Sequence, residues 1–179
     1  MKAPQARLLL TGASGGIGRE AARALLAAGA SLMLVGRDAG GLQVQARQLR
    51  HELGLPPQSE DDRITVCVAD LAVDEDLLRL AARAAAWGTN VLVHGAGLPA
   101  FGRLEALPAA QLRALINTNL LAPMLLTQAL LPHLRAQPRA QIICVGSALG
   151  RIGLPGFAAY SASKFGLRGF AEALRRELA

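Results

Sequence analysis

The feature that most limits how this chain can fold is a glycine-rich turn near its start. A short apolar run from Arg7 to Thr11 leads into the turn at 12–18, and a strong helix-forming segment follows and stops at Gly29. This order predicts a buried strand, a tight turn and a helix. Small residues let a backbone approach a pyrophosphate, and the helix N-terminus offers it free N–H groups. A glycine turn alone is weak evidence, but its position between a first strand and a first helix favours a dinucleotide site.

Strand-like and helix-like segments alternate along the rest of the chain. Short apolar runs predict strands at 31–35, 63–69, 89–93 and 140–145, and helical patterns lie at 39–53, 73–87, 108–135 and 157–179. The polar segment 56–62 is predicted to be a surface loop. The strands are continuously apolar, which is typical of a parallel sheet that is covered on both faces. We therefore predict a single α/β domain with a doubly wound parallel sheet and helices on both faces.

Unusual residues follow each predicted strand. Arg37 comes after the second strand, Asp70 after the third, the run 95–97 (GAG) after the fourth and Ser147 after the fifth. Ligands of doubly wound sheets bind at the carboxyl ends of the strands. We therefore predict that these residues and the first glycine turn surround one ligand.

The end of the second strand indicates the kind of dinucleotide. In a dinucleotide-binding sheet this strand end meets the adenosine ribose, where an acid would bind a 2′-hydroxyl and an arginine suits a 2′-phosphate. Arg37 therefore favours the phosphorylated cofactor. Asp38 is interpreted as the N-cap of the next helix.

Near the end of the chain, a tyrosine precedes a lysine by four residues. Tyr160 is the only tyrosine, and Lys164 is one of two lysines in a chain that otherwise uses arginine. On a helix this spacing puts the phenol and the ammonium on one face. Such a pair could move a proton near neutral pH. Considered alone, the pair is better explained as an exposed aromatic and cationic pair on an amphipathic helix.

Charge and composition narrow the class of ligand. The net charge is +6, but the arginines are scattered and aromatic residues make up 3% of the chain, which argues against nucleic acid. An anionic cofactor accounts for the excess of positive charge.

The cysteines and histidines do not indicate a metal site. Cys67 and Cys144 lie in apolar runs, and the three histidines lack metal-ligand spacing. We expect no membrane span and no signal peptide, and hence a cytoplasmic location.

Together these residues make the chain resemble the short-chain dehydrogenase/reductase family, in its standard-length branch. The resemblance covers all 179 residues. Its motifs are Thr11-Gly12-x-x-x-Gly16-x-Gly18, Asp70-Leu71, Gly95-Ala96-Gly97, Asn119 with the later Leu131-Pro132-His133, Ser147, and Tyr160-x-x-x-Lys164. The spacing of Ser, Tyr and Lys differs from that of the enoyl reductases of the same superfamily. The resemblance implies a Rossmann-like fold.

The resemblance also implies an oxidoreductase that transfers hydride between a nicotinamide cofactor and a carbonyl or secondary alcohol. Tyr160 would be the general acid and base, and Lys164 would hold the nicotinamide ribose and support the phenol. Ser147 would bind the substrate oxygen, and Asn119 would anchor a water that links Lys164 to solvent. The implied cofactor contacts are Gly12, Ser14, Gly16, Ile17, Gly18, Arg37, Asp70, Leu71, Gly95, Ala96, Gly97, Tyr160 and Lys164.

Members that resemble this chain at Arg37 prefer NADP(H), so NADP(H) is expected and NAD(H) stays possible. Ser14 would assist at the same phosphate, and Asp70 would contact the adenine.

Pro123 should distort the predicted helix 108–135. It has no N–H to donate to the carbonyl of Asn119, four residues earlier. We expect a distorted helix there, with the free carbonyl holding the relay water. A tolerated structural kink is the alternative.

The chain departs from the family pattern in two places. His94 and Gly95 stand where the family usually has two asparagines, and we interpret His94 as structural. Family members also continue for about another half-domain, with two more strands and a substrate lid. We expect either a longer native protein, which we favour, or a natural fragment. The fifth strand would here be an unprotected, apolar edge of the sheet.

Two other functions stay open. One is a catalytically silent nucleotide sensor or scaffold on the same fold. The other is an epimerase or dehydratase of the extended branch, which the short chain disfavours.

The segment after the fifth strand is rich in apolar residues, which predicts an apolar entrance to the active site and hence an apolar small-molecule substrate. These residues are Leu149, Ile152, Leu154 and Phe157. Helices 108–135 and 157–178 are predicted to form a homodimer or homotetramer contact, as in many relatives.

Overall fold

A five-stranded parallel sheet forms the centre of the structure, a computed structural model that describes residues 2–56 and 63–179. Most of the predicted loop 56–62 lies outside the described residues. The strand order is β3-β2-β1-β4-β5. The strands are β1 Arg7–Thr11, β2 Ser31–Gly36, β3 Ile64–Val68, β4 Val91–His94 and β5 Gln141–Cys144. The order reverses between β1 and β4, so the crevice expected to bind a ligand opens there.

Within the described residues, six α-helices connect and follow the strands; the sequence pattern predicted five, because it gave 108–135 as one helix. They are α1 Gly16–Ala27, α2 Ala39–Glu52, α3 Asp74–Trp87, α4 Ala109–Ile116, α5 Ala122–Arg135 and α6 Ala158–Glu177. The strand predicted at 89–93 begins later, at Val91, because Thr89 closes α3 and the Asn90 N–H donates to the carbonyl of Arg7 in β1. Gly88 caps this helix in the left-handed conformation, and the Thr89 N–H donates to the carbonyl of Ala84.

Two hydrophobic cores cover the two faces of the sheet, as expected for a doubly wound fold. On one face, α1 and α2 bury Leu26 and Leu42 against strand residues such as Leu8 and Leu34. On the other face, α3 and α5 pack against the opposite side chains of the same strands; the core there includes Leu9, Met33, Leu80, Leu92, Leu126 and Leu130. Successive strand residues thus alternate between two apolar layers, which explains why β1 and β2 are continuously apolar.

The helical stretch Ala109–Arg135 is long and apolar enough to cross a membrane. The sequence interpretation missed this, because polar residues such as Asn117, Asn119 and Gln128 interrupt the apolar run. In the structure, its residues Ala122, Leu126, Leu130 and Leu134 are buried in the core beside α3. Packing against the sheet therefore accounts for its apolar composition.

The β5 strand pairs only with β4 in the described sheet, and its other edge is open. Ile143 is 44% exposed. A cavity of about 830 Å³ runs along this edge; its apolar lining includes Leu131, Leu134, Ile142, Leu174 and Leu178. The structure thus has the unprotected apolar edge that the sequence predicted.

His94, at the end of β4, is buried in the core. Its side chain is 3% exposed, and Nε2 lies 2.8 Å from the Thr127 hydroxyl of α5. Burial lowers the pKa of His94 to about 4. The side chain ties a strand to a helix, which agrees with the structural interpretation of this residue.

Stability should depend on pH through His94. In the unfolded chain its pKa returns to about 6.5, so between pH 6.5 and 4 the unfolded state binds a proton that the folded state excludes. The unfolding free energy should therefore fall as the pH falls, by up to about 3 kcal/mol across this window. Chemical denaturation at several pH values measures the slope. The His94→Asn variant should lose this slope, whereas the exposed-site control His51→Asn should keep it; equal slopes in both variants would contradict the assignment.

Candidate active site

A cavity of about 240 Å³ opens at the carboxyl ends of the strands, at the crevice between β1 and β4. It collects residues from five separate stretches of the chain. Those predicted to bind the cofactor are Gly12, Ser14, Arg37, Asp70, Leu71, Gly95, Ala96 and Gly97. The fold thus brings together residues up to 85 positions apart, as strand-end positions in a parallel sheet require.

The first glycine turn is held tightly against the turn after β4. Gly12 has a φ of +71°, and an added Cβ would lie 2.7 Å from the backbone of Ala96. A Cβ at Gly18 would overlap the carbonyl oxygen of Gly12. These positions accept only glycine. The absence of side chains leaves the backbone of the turn open to the cavity.

Thr11 joins the two turns by hydrogen bonds. Its hydroxyl accepts from the N–H groups of Gly95 at 3.1 Å and Ala96 at 3.2 Å, and it donates to the carbonyl of Val93 at 3.3 Å. This one side chain therefore ties the end of β1 to the end of β4 and the turn that follows it. The sequence interpretation assigned Thr11 only to a motif and missed this role.

Arg37 and Ser14 both line the cavity, and the Ser14 hydroxyl lies 3.4 Å from the position that a Cβ on Gly36 would take. Arg37 is exposed, and in the part of the chain that the structure describes it has no carboxylate partner. Asp38 occupies the N-cap position of α2, as predicted, but its side chain makes no capping hydrogen bond. The guanidinium is thus available to an anion.

Asp70 is held in a turn at the end of β3. Its carboxylate accepts the N–H of Ala72 at 3.0 Å, and its own N–H donates to Asp76 of α3 at 2.7 Å. The backbone N–H of Asp70 is the main cause that lowers the pKa of Asp76, with Arg79 second. Asp76 was expected only as an acid in the first turn of this helix; its contact with Asp70 also fixes the turn that lines the cavity.

Tyr160 and Lys164 lie on α6 and face the same side, as their spacing predicts. The Lys164 ammonium is 5.9 Å from the centre of the Tyr160 ring and donates to the carbonyl of Val145 at 3.0 Å. Lys164 is 6% exposed, and burial lowers its pKa. A Cβ on Gly97 would lie 3.7 Å from Nζ, so the ammonium reaches the end of the cavity. Lys164 is therefore part of a buried polar site, and Tyr160 beside it is half-buried.

Asn119 lies behind Lys164 in a π-helical segment, Asn117–Leu121, between α4 and α5. The Ala122 N–H donates to the carbonyl of Asn117, five residues earlier. The helix thus departs from α geometry just before Pro123, as predicted, and such insertions are frequent at functional sites. The Asn119 side chain is fully buried, and its Oδ1 lies 3.4 Å from the position that a Cβ on Gly97 would take. The relay water at its carbonyl stays a prediction.

Ser147 ends the segment after β5 and caps a short helical turn, Ala148–Gly150. Its hydroxyl oxygen accepts the N–H of Leu149 at 3.2 Å, which leaves its own hydrogen available to a ligand. A Cβ on Gly150 would lie 2.9 Å from the carbonyl of Lys164. The turn that carries Ser147 therefore packs directly on the backbone of α6.

Five predicted cofactor residues do not line the cavity: Gly16, Ile17, Gly18, Tyr160 and Lys164. Ser147, which was predicted to surround the same ligand, lines a separate cavity together with Lys164. Gly16, Ile17 and Gly18 form the first turn of α1, where Ile17 is 73% exposed. Gly18 acts through packing, and the helix N-terminus acts through backbone N–H groups. Conversely, Leu98 and Thr118 line the cavity although the sequence interpretation did not include them. Leu98 follows Gly97 in the chain and Thr118 precedes Asn119, and this adjacency to predicted site residues could have indicated both.

The residues present fit a dinucleotide. The glycine cradle excludes side chains where a pyrophosphate would approach, Arg37 lacks a carboxylate partner within the described ranges 2–56 and 63–179, and the far end carries a buried ammonium. These features suit the phosphate and ribose groups that an apolar ligand would lack.

Comparison with known proteins agrees with this geometry. The family model described as short chain dehydrogenase matches residues 6–179. Dehydrogenase/reductase SDR family member 7B of Xenopus laevis is 32% identical over 177 residues, which cover 96% of this chain and 53% of that protein. The 3-dehydrosphinganine reductase of Danio rerio is 32% identical over 183 residues, which cover 99% of this chain and 53% of that protein. The chain spans about half the length of these curated relatives.

Solved structures show the same fold. A metagenomic short-chain oxidoreductase in complex with NADP has 34% identity and a TM-score of 0.85, over 97% of this chain and 76% of that one. A short chain dehydrogenase from Escherichia coli CFT073 complexed with NADPH has 31% identity and a TM-score of 0.87, over 97% of this chain and 71% of that one. The family match, the fold and the arrangement of the strand-end residues all agree: this chain belongs to the short-chain dehydrogenase family.

Proposed function

We propose that the chain forms the cofactor-binding and proton-transfer part of an NADP(H)-dependent oxidoreductase, which acts on a carbonyl or secondary alcohol. The buried Lys164 carries this proposal. Its ammonium lies between the Tyr160 ring and the Gly97 end of the dinucleotide cavity. A buried ammonium in this position suits a reaction in which a proton moves beside a bound dinucleotide.

Each polar side chain has a defined task in this proposal. Tyr160 gives a proton to the substrate oxygen in reduction and takes one in oxidation. Ser147 donates its free hydrogen to the same oxygen, where negative charge develops. Lys164 holds the cofactor ribose, and Asn119 anchors the water that connects Lys164 to solvent. The nicotinamide cofactor, when bound, supplies or accepts the hydride.

The preference for NADP(H) over NAD(H) rests on Arg37 and Ser14. Both line the cavity, and a guanidinium can hold a 2′-phosphate by paired, charge-assisted hydrogen bonds. Two structural relatives are complexes with NADP or NADPH, which supports the same preference.

An apolar substrate is favoured by the rim of the site. Phe101 is 72% exposed, and its ring lies 4.9 Å from that of Phe157, one turn before Tyr160. The Gly102 N–H donates to the carbonyl of Gly156 at 2.9 Å and holds the two rim loops together. Ile152 and Leu154 are also about half exposed. Exposed apolar patches of this kind mark binding sites.

The name 3-dehydrosphinganine reductase given to one relative indicates reduction, which fits this class of reaction.

A catalytically silent nucleotide-binding scaffold is the second candidate. Tyr160 and Lys164 do not line the dinucleotide cavity, and that observation favours this candidate. Turnover of any carbonyl substrate by this chain would decide against it.

Self-association and cellular location stay proposals. Four apolar side chains on or beside α4, α5 and α6 are between 37% and 43% exposed: Ile116, Leu121, Met124 and Phe165. Their exposure supports a homodimer or homotetramer contact through these helices. We propose a cytoplasmic location, with no nucleic-acid partner and no membrane span, from the composition of the chain and the packing of Ala109–Arg135. The single-domain organisation likewise stays a prediction.

Replacing Tyr160 by Phe should abolish turnover and spare cofactor binding. The change removes only the hydroxyl that transfers the proton, so kcat should fall by about 100- to 10,000-fold. The Kd for NADPH, measured by nicotinamide fluorescence, should change by less than about twofold, because the ring and its neighbours remain. Full turnover in Tyr160→Phe, with every carbonyl that the wild type accepts, would refute the proposed role.

Replacing Arg37 by Ala should weaken NADPH binding by roughly 10- to 100-fold, since charge-assisted hydrogen bonds to the phosphate are lost. The Kd for NADH should stay nearly constant. Arg47→Ala removes an exposed arginine from the neighbouring face of α2 and provides the charge-matched control. Equal losses in Arg37→Ala and Arg47→Ala, or equal losses for the two cofactors, would exclude a 2′-phosphate contact.

Replacing Phe101 by Ala should reduce kcat/KM for dodecan-2-one by about tenfold, the effect of losing part of a buried aromatic contact. Butan-2-one is too short to reach the ring, so its kcat/KM should hardly change. Leu78→Ala removes a side chain that is 65% exposed on α3 and serves as the control. A loss of equal size for both ketones would show that Phe101 does not select the apolar chain.

A further inference from the structure

Ser163 lies between the two proton-transfer residues of α6 and is fully buried. Its hydroxyl accepts a hydrogen bond from Asn119 Nδ2 at 3.1 Å. It donates to the carbonyl of Tyr160, one turn earlier, at 2.7 Å. The side chain is 0% exposed, so no solvent could replace either partner. Two predicted catalytic residues are therefore joined through one hydroxyl group to which the sequence interpretation gave no role.

The link continues from Asn119 to the turn after β4. Asn119 Oδ1 accepts the N–H of Leu98 at 2.7 Å, and Nδ2 donates to the carbonyl of the same residue at 3.0 Å. The amide thus holds both backbone groups of Leu98, beside the cavity, and uses its last hydrogen on Ser163. A continuous chain of buried hydrogen bonds runs from the cavity wall to the helix that carries Tyr160 and Lys164.

Close packing alone does not explain the serine. The same face of α6 is built from small residues: Gly166 packs on Leu120, and an added Cβ there would lie 2.8 Å from that side chain. Alanine would satisfy such packing as well as serine, and it would bring no polar atom into the core. The hydroxyl is therefore the property that needs a function.

We propose that Ser163 is a positioning residue for the proton-transfer group, an inference that rests on the proposed function. It sets the orientation of the Asn119 amide and thereby the distance between the Leu98 turn and the Tyr160–Lys164 face of α6. Without the hydroxyl, the Tyr160 carbonyl keeps its helical position, but one Asn119 hydrogen is left unpaired in the core. The amide and the Leu98 turn are then free to shift relative to Lys164, while the glycine turn of the cavity is unaffected.

Ser161 provides a matched control on the same helix. It is 6% exposed, and its hydroxyl oxygen has no hydrogen-bond partner within the described residues. Ser161→Ala and Ser163→Ala each delete one buried oxygen from α6, two residues apart. A general effect of the deletion on helix or core stability should appear in both variants, and an effect on positioning should appear only in Ser163→Ala.

The kinetic test measures ketone reduction by the full chain with NADPH. In Ser163→Ala, kcat should fall by about tenfold, the loss expected from one misplaced hydrogen-bonded group. The Kd for NADPH should stay within about twofold of the wild-type value, because the phosphate cradle is intact. The solvent deuterium isotope effect on kcat should increase, since proton delivery becomes slower. Ser161→Ala should match the wild type. Wild-type kcat and isotope effect in Ser163→Ala would overturn the proposal.

Amide hydrogen exchange gives a readout that needs no turnover. The Leu98 N–H is protected by Asn119 Oδ1, so Ser163→Ala should raise its exchange rate by about fivefold or more relative to Ser161→Ala. If the wild-type chain reduces no carbonyl, the proposed function fails and this exchange rate alone decides the positioning. Equal protection of Leu98 in the two variants would overturn the inference.

Discussion

The whole site depends on the close approach of two backbone turns, one after β1 and one after β4. Thr11 holds the second turn through its hydroxyl, and Gly12 allows contact at a distance that no side chain would permit. Because the sheet order reverses between these strands, the two turns border the crevice where a ligand can enter. The cofactor cavity is therefore a direct consequence of parallel pairing between β1 and β4.

A second constraint connects this crevice to the chemistry. Buried polar groups must be hydrogen-bonded, and Asn119 meets this requirement with the Leu98 backbone and Ser163. The side chain sits in a π-helical segment, and the extra residue per turn there accompanies the break that Pro123 imposes on the α-helical hydrogen bonds. The distorted helix, the cavity wall and α6 are thus held in one arrangement. Lys164 is buried within it and is paired with the carbonyl of Val145.

Much of this could be predicted from the sequence, because strand ends and fixed spacings are local properties. The periodicity located the five strands of the described sheet and the main helical stretches, although it gave 108–135 as one helix where the structure has α4, a π-helical segment and α5. The strand-end rule brought Arg37, Asp70 and the 95–97 turn to one cavity, whereas Ser147 lines another. The missing parts are contacts between distant residues. Thr11 with Ala96, and Phe101 with Phe157, meet only after the sheet has formed. No spacing rule indicates them, just as none showed that Asn119 would use its side chain on Leu98.

The central claim is that one dinucleotide site extends from Arg37 to Lys164. Titration of the ¹⁵N-labelled chain with NADP⁺, followed by backbone amide chemical shifts, tests it most directly. Saturable changes should appear at residues 12–18, at Arg37, at Asp70 and Leu71, and from Gly95 to Leu98, and they should reach Lys164. Saturable changes confined to the open edge of β5, or no saturable change at all, would contradict the claim.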